Sequence, residues 1–402
     1  MRGMEKMLEV IVSRKKEEKQ IALIENGKLV EIYDESENDN KNEGNVYIGV
    51  VKDVLPGMQA AFLDIGTEKN SFIHLKDILP QEDETNEKSN KNQEQDIKKV
   101  VKPGDKLLVQ VKKDSNAKKG ARVSAHLTLA GRFTVLMPNT DIITISQKIE
   151  NEVERKRLLE IAKGLLPENT GVVIRTAAYK KSTAEIEKDI NLLLEHWKKI
   201  QADAENCKNA PALIYKNPGI VEKLIIDLAD EKIEKVIFDN KKEFEHISKM
   251  LKEHGIENSM KLELKENTEI LDLYEITNQK EKLESRKIWL NCGGFITIDP
   301  TEALTAIDVN TGKYMGTKNL EDTVYKVNYE ATIEIVRQLR LRDIGGIIII
   351  DYIDMKKQEN KDKIEKLLKQ ELKNDRAKTQ VEGFTKLDLM ELTRKHICSH
   401  KD

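Results

Sequence analysis

Apolar residues along this chain fall into two rhythms, and the stretch from Gly293 to Met355 shows both. Phe295–Ile298 and Leu304–Val309 are short apolar runs, rich in β-branched residues and broken by Pro300, and they predict two strands. Residues two apart in a strand share a face, so Asp308 and Asn310 project together. Val324, Val327, Ala331, Ile335 and Leu339 then recur at three- and four-residue steps, which predicts a helix. Glu321 and Asp322 stand in its first turn and Arg337, Arg340 and Arg342 in its last, as the helix dipole favours. Gly345 and Gly346 end it. Ile347 to Ile350 is uniformly apolar and predicts a strand buried on both faces, with Asp351 at its end.

The rest of the chain extends the picture to a multidomain α+β protein. Met7–Val12 and Gln20–Leu23 predict paired strands, too short to bury their own apolar face without a later partner. Strands near Val46–Val54, Gln59–Asp64, Ser71–His74 and Lys106–Lys112 have the spacing of a small five-stranded barrel of the OB type. Gln81 to Gln95 is almost wholly polar and predicts a flexible surface insertion. Residues 126–138 predict a strand, Val153–Leu166 a helix, 171–178 a strand and Thr183–Ile200 a longer helix. From about 210 to 286 strand and helix signals alternate, as in a sheet covered by helices. Beyond Asp354, a residue equally suited to capping a turn or to supporting Asp351, come a Lys/Glu-rich helix to about Lys373 and a strand over 378–383.

Length and charge narrow the function. With 402 residues there is room for two to four domains, and the 4% aromatic content leaves a mostly aliphatic core. The net charge of −3 argues against indiscriminate polyanion binding and puts the weight on local basic patches. One such patch runs from Lys98 to Arg122, nine Lys/Arg residues against Asp105 and Asp114, and flanks the predicted barrel, where contact with a phosphate backbone is expected. Cys207, Cys292 and Cys398 are too scattered for a disulfide framework, which suits a reducing cytoplasm. No apolar run has the length of a membrane span, so no membrane association is expected.

Asp308 and Asp351, at the ends of two core strands with the Asn310 amide beside one of them, form a candidate site for a hard cation. Mg2+ takes one or two carboxylates together with water and substrate phosphate oxygens. The alternative is that these aspartates cap turns or pair with nearby arginines.

The segments GGFITIDPTEALTAIDVNTG, RQLRLRDIGG and IIIIDYIDM together resemble the catalytic region of the ribonuclease E/G family. The resemblance spans nearly the whole chain and implies an endoribonuclease that cuts single-stranded RNA, rRNA precursors and mRNA included, leaving 5′-phosphate and 3′-hydroxyl ends. It makes Asp308 and Asp351 the Mg2+ ligands and Asn310 the support of the scissile phosphate. It implies an RNase H-like domain in two pieces (1–37 and 215–283), an S-one-type OB-fold over 38–124, a 5′-monophosphate sensor over 125–214 and a DNase I-like catalytic domain over 284–402. In the OB-fold, Phe62 and Phe72 would stack on bases and Lys119 would meet RNA. The phenylalanines read equally well as core. In the sensor, Arg175 and Thr176 would hold the terminal phosphate, with Gly131 and Val135 shaping the pocket. Taken alone, Arg175 reads as a strand-end arginine paired with a helix carboxylate.

The sequence departs from the family pattern at three places. Gln147-Lys148 stands where a basic pair is usual, and Asp388 where a glycine is usual. The Cys-Pro-x-Cys pair that in many relatives shares zinc between subunits does not occur within these 402 residues. His396, Cys398 and His400 can bind zinc, but not at that spacing, so a zinc link is not predicted; a homodimer is expected, with contact through the catalytic domain one route to it. Two other readings remain: a non-catalytic RNA-binding protein that uses the OB-fold, and a metal-dependent phosphodiesterase acting on DNA.

Overall fold

The structure is a computed structural model that describes residues 7–15, 18–36, 42–80, 96–115, 119–229, 233–312 and 320–397. The expected insertion at Gln81–Gln95 lies outside these residues, as do Cys398 and His400. The chain forms two compact units, one built from residues 1–37, 231–245 and 259–402, the other from 38–230 and 246–258.

The first unit holds two sheets. In one, the strands run in the order Lys261–Leu264, Ile233–Phe238, Leu8–Lys15, Glu18–Glu25, Lys28–Ser36. Leu8–Lys15 pairs in parallel with Ile233–Phe238 and antiparallel with Glu18–Glu25. Asn26-Gly27 turns the last two strands, and both residues have positive φ, the conformation that a two-residue hairpin of this hand needs.

The second sheet has six strands in the order Lys287–Trp289, Phe295–Pro300, Leu304–Asn310, Gly346–Asp351, Leu389–Arg394, Thr379–Phe384. The helices Leu320–Leu341 and Gln358–Glu371 cover one face, where Ile296, Ile307, Val309, Ile348 and Ile350 pack against Val327, Ala331, Ile335, Leu339 and Ile364. The other face is open. Ile347–Ile350 is therefore not buried on both sides as its composition suggests: Ile348 and Ile350 are inside, whereas Ile347 is 50% exposed. A run of four isoleucines carries no alternation, so the pattern hides which face is covered.

The terminal arginines of the long helix do more than answer its dipole. Arg340 is buried, and its Nη2 lies 2.9 Å from Oε1 of Glu31, a residue with no exposed side-chain surface; Arg376 meets the same carboxylate at 2.8 Å. Burial alone would raise the Glu31 pKa, but the charges of Arg376 and Arg340 overcome it and hold it at about 2. Arg337 donates to the Leu29 carbonyl at 2.7 Å. These bonds lock the two sheets together.

The second unit contains a closed five-stranded barrel. Val46–Leu55, Ala60–Asp64, Ser71–His74, Arg122–Ser124 and Lys106–Lys113 follow one another, and the first pairs with the last to close it. Val51, Ala61, Leu63, Ile73, Val109, Val111 and Val123 fill its interior. Beyond it lies a four-stranded sheet in the order Ile143–Ile145, Thr170–Ile174, Thr134–Pro138, Leu129–Ala130, packed against the helices Glu152–Leu165 and Thr183–Glu205. The predicted single strand over 126–138 is two strands, because Gly131 to Phe133 turn back on themselves: the Gly131 N–H donates to the Thr134 carbonyl at 2.8 Å.

Candidate active site

Along Leu304–Asn310, Thr305, Ile307 and Val309 are buried and Ala306 and Asp308 exposed, so period-two alternation sends the polar set to the open face. Asp308 pairs in register with Asp351 on the neighbouring parallel strand. Strands so paired lie about 4.8 Å apart, which sets the two carboxylates side by side. The Asn310 amide donates from Nδ2 to Oδ2 of Asp308 at 2.6 Å. Partial burial, the Asp308 carboxylate and the exposed Asp354 together raise the pKa of Asp351, in that order. Among the described residues no ion pair joins Asp308 or Asp351 to an arginine or lysine, although Arg286, paired with Asp299, also feels the Asp308 charge. Nor does any group of three or more His, Cys, Asp and Glu side chains gather to hold a metal among them. A pair of adjoining carboxylates with like-charge repulsion and an amide alongside suits a hard cation that keeps several waters.

The loop that follows Asp351 is held by residues the pattern did not single out. Asn328, fully buried on the long helix, donates from Nδ2 to the Ile353 carbonyl at 2.8 Å and accepts from the Ile353 N–H at 3.1 Å. One turn later Thr332 Oγ1 lies 2.9 Å from the Tyr352 hydroxyl. Glu321 accepts the backbone N–H groups of Lys356 and Lys357 and a bond from Asn360. The available signal was polarity in the wrong place: Asn328 and Thr332 interrupt the apolar stripe of Val324, Val327, Ala331 and Ile335.

In the second unit the residues expected to hold a 5′-phosphate lie on and beside one four-stranded sheet. Arg175 Nη1 donates to the Gly131 carbonyl at 2.7 Å and its Nη2 meets Asp227 Oδ1 at 2.8 Å. The strand-end arginine thus has the helix carboxylate that the residue alone suggested, and it also touches Gly131. Thr176 Oγ1 lies 2.9 Å from Ser146 Oγ. Val135, half-buried, pairs with Ala130 and Val173. Asp189, which sequence reasoning missed, organises the turn: it accepts the N–H groups of Arg132, Phe133 and Thr134 and the Thr134 hydroxyl. A Cβ on Gly131 would lie 2.6 Å from Asp189 Oδ1, so only glycine fits there. The signal was an acid among Ile186, Ile190 and Leu193 on the buried side of a helix.

On the barrel, Phe62 and Phe72 are cross-strand partners, half-buried, with ring centroids 6.0 Å apart in an edge-to-face arrangement. The Phe72 N–H donates to the Ala121 carbonyl at 2.7 Å, which brings the segment bearing the exposed Lys119 to the same rim. Within the basic stretch not every cation is free for phosphate. Arg122 pairs with Asp77 at 3.0 Å, and burial lowers the Lys112 pKa to about 8.

Comparison with known proteins shows the family to which the chain is similar. A family model described as the Ribonuclease E/G family matches residues 128–397. Ribonuclease G of Escherichia coli strain K12 is 39% identical over 389 residues, covering 96% of this chain and 79% of its own length. Ribonuclease G of Haemophilus influenzae is 37% identical with the same coverage of both chains. Ribonuclease E of Escherichia coli strain K12 is 34% identical over 400 residues, which make up 98% of this chain but 37% of that longer protein.

Proposed function

This chain belongs to the ribonuclease E/G family and is an endoribonuclease, and from that premise we propose that it cleaves single-stranded RNA in an Mg2+-dependent reaction centred on Asp308, Asn310 and Asp351. The in-register pairing of Asp308 with Asp351 on an open sheet face carries this reading. The two carboxylates hold the ion, which when bound supplies a Lewis acid against the charge that develops on the phosphate. Asn310 steadies Asp308 through its 2.6 Å bond and, turned outward, offers its amide to a phosphate oxygen. Attack of water on phosphorus, with the 3′-oxygen leaving, gives 5′-phosphate and 3′-hydroxyl ends and needs no ribose 2′-hydroxyl.

The barrel, with Phe62, Phe72 and Lys119, would take the strand by stacking and charge. Arg175, Thr176, Gly131 and Val135 would receive a 5′-monophosphate, for which Arg175 must exchange Asp227 for the phosphate. In this reading the two sheets of the first unit serve as an RNase H-like support and a DNase I-like catalytic domain. The substrates are rRNA precursors and mRNA, and the protein works as a cytoplasmic homodimer.

A single-turnover assay on an AU-rich single-stranded RNA, with 5′-monophosphate or 5′-hydroxyl ends, tests the proposal. Internal cuts with 3′-hydroxyl products, abolished by EDTA and by Asp308→Asn, are expected, and faster cutting of the monophosphate substrate is expected to vanish in Arg175→Ala. RNA bound but uncut by the wild type in Mg2+ would point instead to an RNA-binding protein.

A further inference from the structure

The open face of the catalytic sheet continues past Asn310 into an aromatic pair, half-buried Phe295 and exposed Trp289. Phe295 lies directly opposite Asn310, and Trp289 directly opposite Phe295, so three neighbouring strands present the three side chains on one face. At about 4.8 Å per strand, the Trp289 backbone lies roughly 10 Å from that of Asn310. Trp289 is 56% exposed, whereas the chain's other tryptophan, Trp197, is buried in a core. The Trp289 and Phe295 rings meet edge to face with centroids 5.3 Å apart. Lys287, two residues before Trp289 and so on the same face, sets its ammonium 4.1 Å from the Trp289 centroid and 3.5 Å from that of Phe295.

A core packs its indole away from water, and an edge strand that only needs protection carries charge, proline or a bulge. Here a broad π-face is left in solvent with a cation against it, beside the residues that would hold the scissile phosphate. That combination of aromatic surface, cation and neighbouring phosphate site matches a single nucleotide. The geometry points to Trp289, supported by Phe295 and Lys287, as a stacking platform for an unpaired base of the RNA next to the bond that is cut. The indole takes the base, and the Lys287 ammonium faces the adjoining phosphate. A paired base has no free face to offer, so the platform would select single strands at the point of cleavage itself. The inference rests on Asp308, Asn310 and Asp351 being the reaction centre.

Tryptophan emission reads the contact directly, since Trp197 is buried and contributes a constant background. An unlabelled AU-rich RNA decamer is titrated into Asp308→Asn protein and into the same protein carrying Trp289→Ala, with fluorescence anisotropy of a labelled decamer reporting binding independently. Saturable quenching that is lost in Trp289→Ala is expected, with affinity falling roughly 5- to 150-fold, the range for one base stacked on an aromatic ring. Trp289→Phe should restore most of that loss. With one abasic nucleotide beside the cleaved bond, the Trp289→Ala protein and its parent should bind alike. In the cleavage-competent protein, Trp289→Ala should raise KM more than it lowers kcat. RNA that binds without quenching, or an unchanged KM in Trp289→Ala, overturns the platform. So does a change in oligomeric mass by light scattering with RNA affinity intact, which would make this face a contact between copies. Persistent cutting by Asp308→Asn would instead overturn the reaction centre, because the quench is read independently of cleavage.

Discussion

Asn328→Ala removes a side chain that touches no proposed reacting group, yet it should slow cleavage. Asn328 is the sole side chain bonded to both the N–H and the C=O of Ile353 among the described residues. Ile353 lies between Asp351 and Asp354, the latter close enough to raise the Asp351 pKa. Truncation leaves two backbone groups without partners beneath the site, each costing about 1–3 kcal/mol, so roughly 2–6 kcal/mol of stability should be lost. That is a sizeable share of the roughly 5–15 kcal/mol that holds a typical protein folded. Displacing the loop by about 1 Å should lower kcat by roughly 10- to 100-fold. Urea unfolding gives the first quantity and single-turnover cleavage under fully folded conditions the second. The Mg2+ concentration for half-maximal rate should rise while RNA affinity stays unchanged, a split that general destabilisation would not produce. If stability falls as expected and both kcat and the Mg2+ requirement match the wild type, Asn328 supports the fold alone and the positioning argument is wrong.

Three further outcomes follow from the same structure. Glu31 titrates at about 2 in the folded protein against 4.5 ordinarily, so its contribution of roughly 3 kcal/mol is present above pH 4.5 and lost as pH falls toward 2; Glu31→Gln should be less stable at pH 7 and show a flatter acid limb in urea melts between those values. Asp351→Asn removes a carboxylate whose pKa is raised by burial and like charge, so in EDTA its Tm should rise slightly even as cleavage disappears; a lower Tm would mean the carboxylate is stabilising. Asp227→Asn loosens the partner that now occupies the Arg175 fork, and the rate advantage of a 5′-monophosphate over a 5′-hydroxyl substrate should grow several-fold; an unchanged ratio would remove Arg175 from the sensor.

What could be read from the chain depended on how local its cause was. Asp308 and Asn310 were legible because strand alternation is a two-residue signal, and the barrel because turn residues separate its strands. The open face over Ile347 was not, since four isoleucines in a row look alike whichever side is covered. Arg340 could be placed near a helix end but not against Glu31, a partner 309 residues away. Asp388, a departure from the family's glycine, has a local explanation visible only in the backbone: its φ is 61°, a left-handed conformation that aspartate tolerates better than most residues, and Lys361 holds its carboxylate at 2.7 Å. Arg175 was singled out only by resemblance, while Asp189, which shapes the turn it contacts, sat unremarked in a helix pattern.

The parallel pairing of Leu8–Lys15 with Ile233–Phe238 also governs how the protein is made. Synthesis runs at about 5–20 residues per second, so the first strand leaves the ribosome roughly 10–45 s before its neighbour exists. During that interval the N-terminal hairpin displays an apolar, unpaired edge containing Val10, Ile11 and Val12. The barrel and the sheet beyond it can fold meanwhile, because their strands are all encoded in the intervening stretch. Slowing translation anywhere between residues 40 and 230 should therefore lengthen the exposure of that edge and raise the yield of aggregated nascent chain, with no change to the finished enzyme.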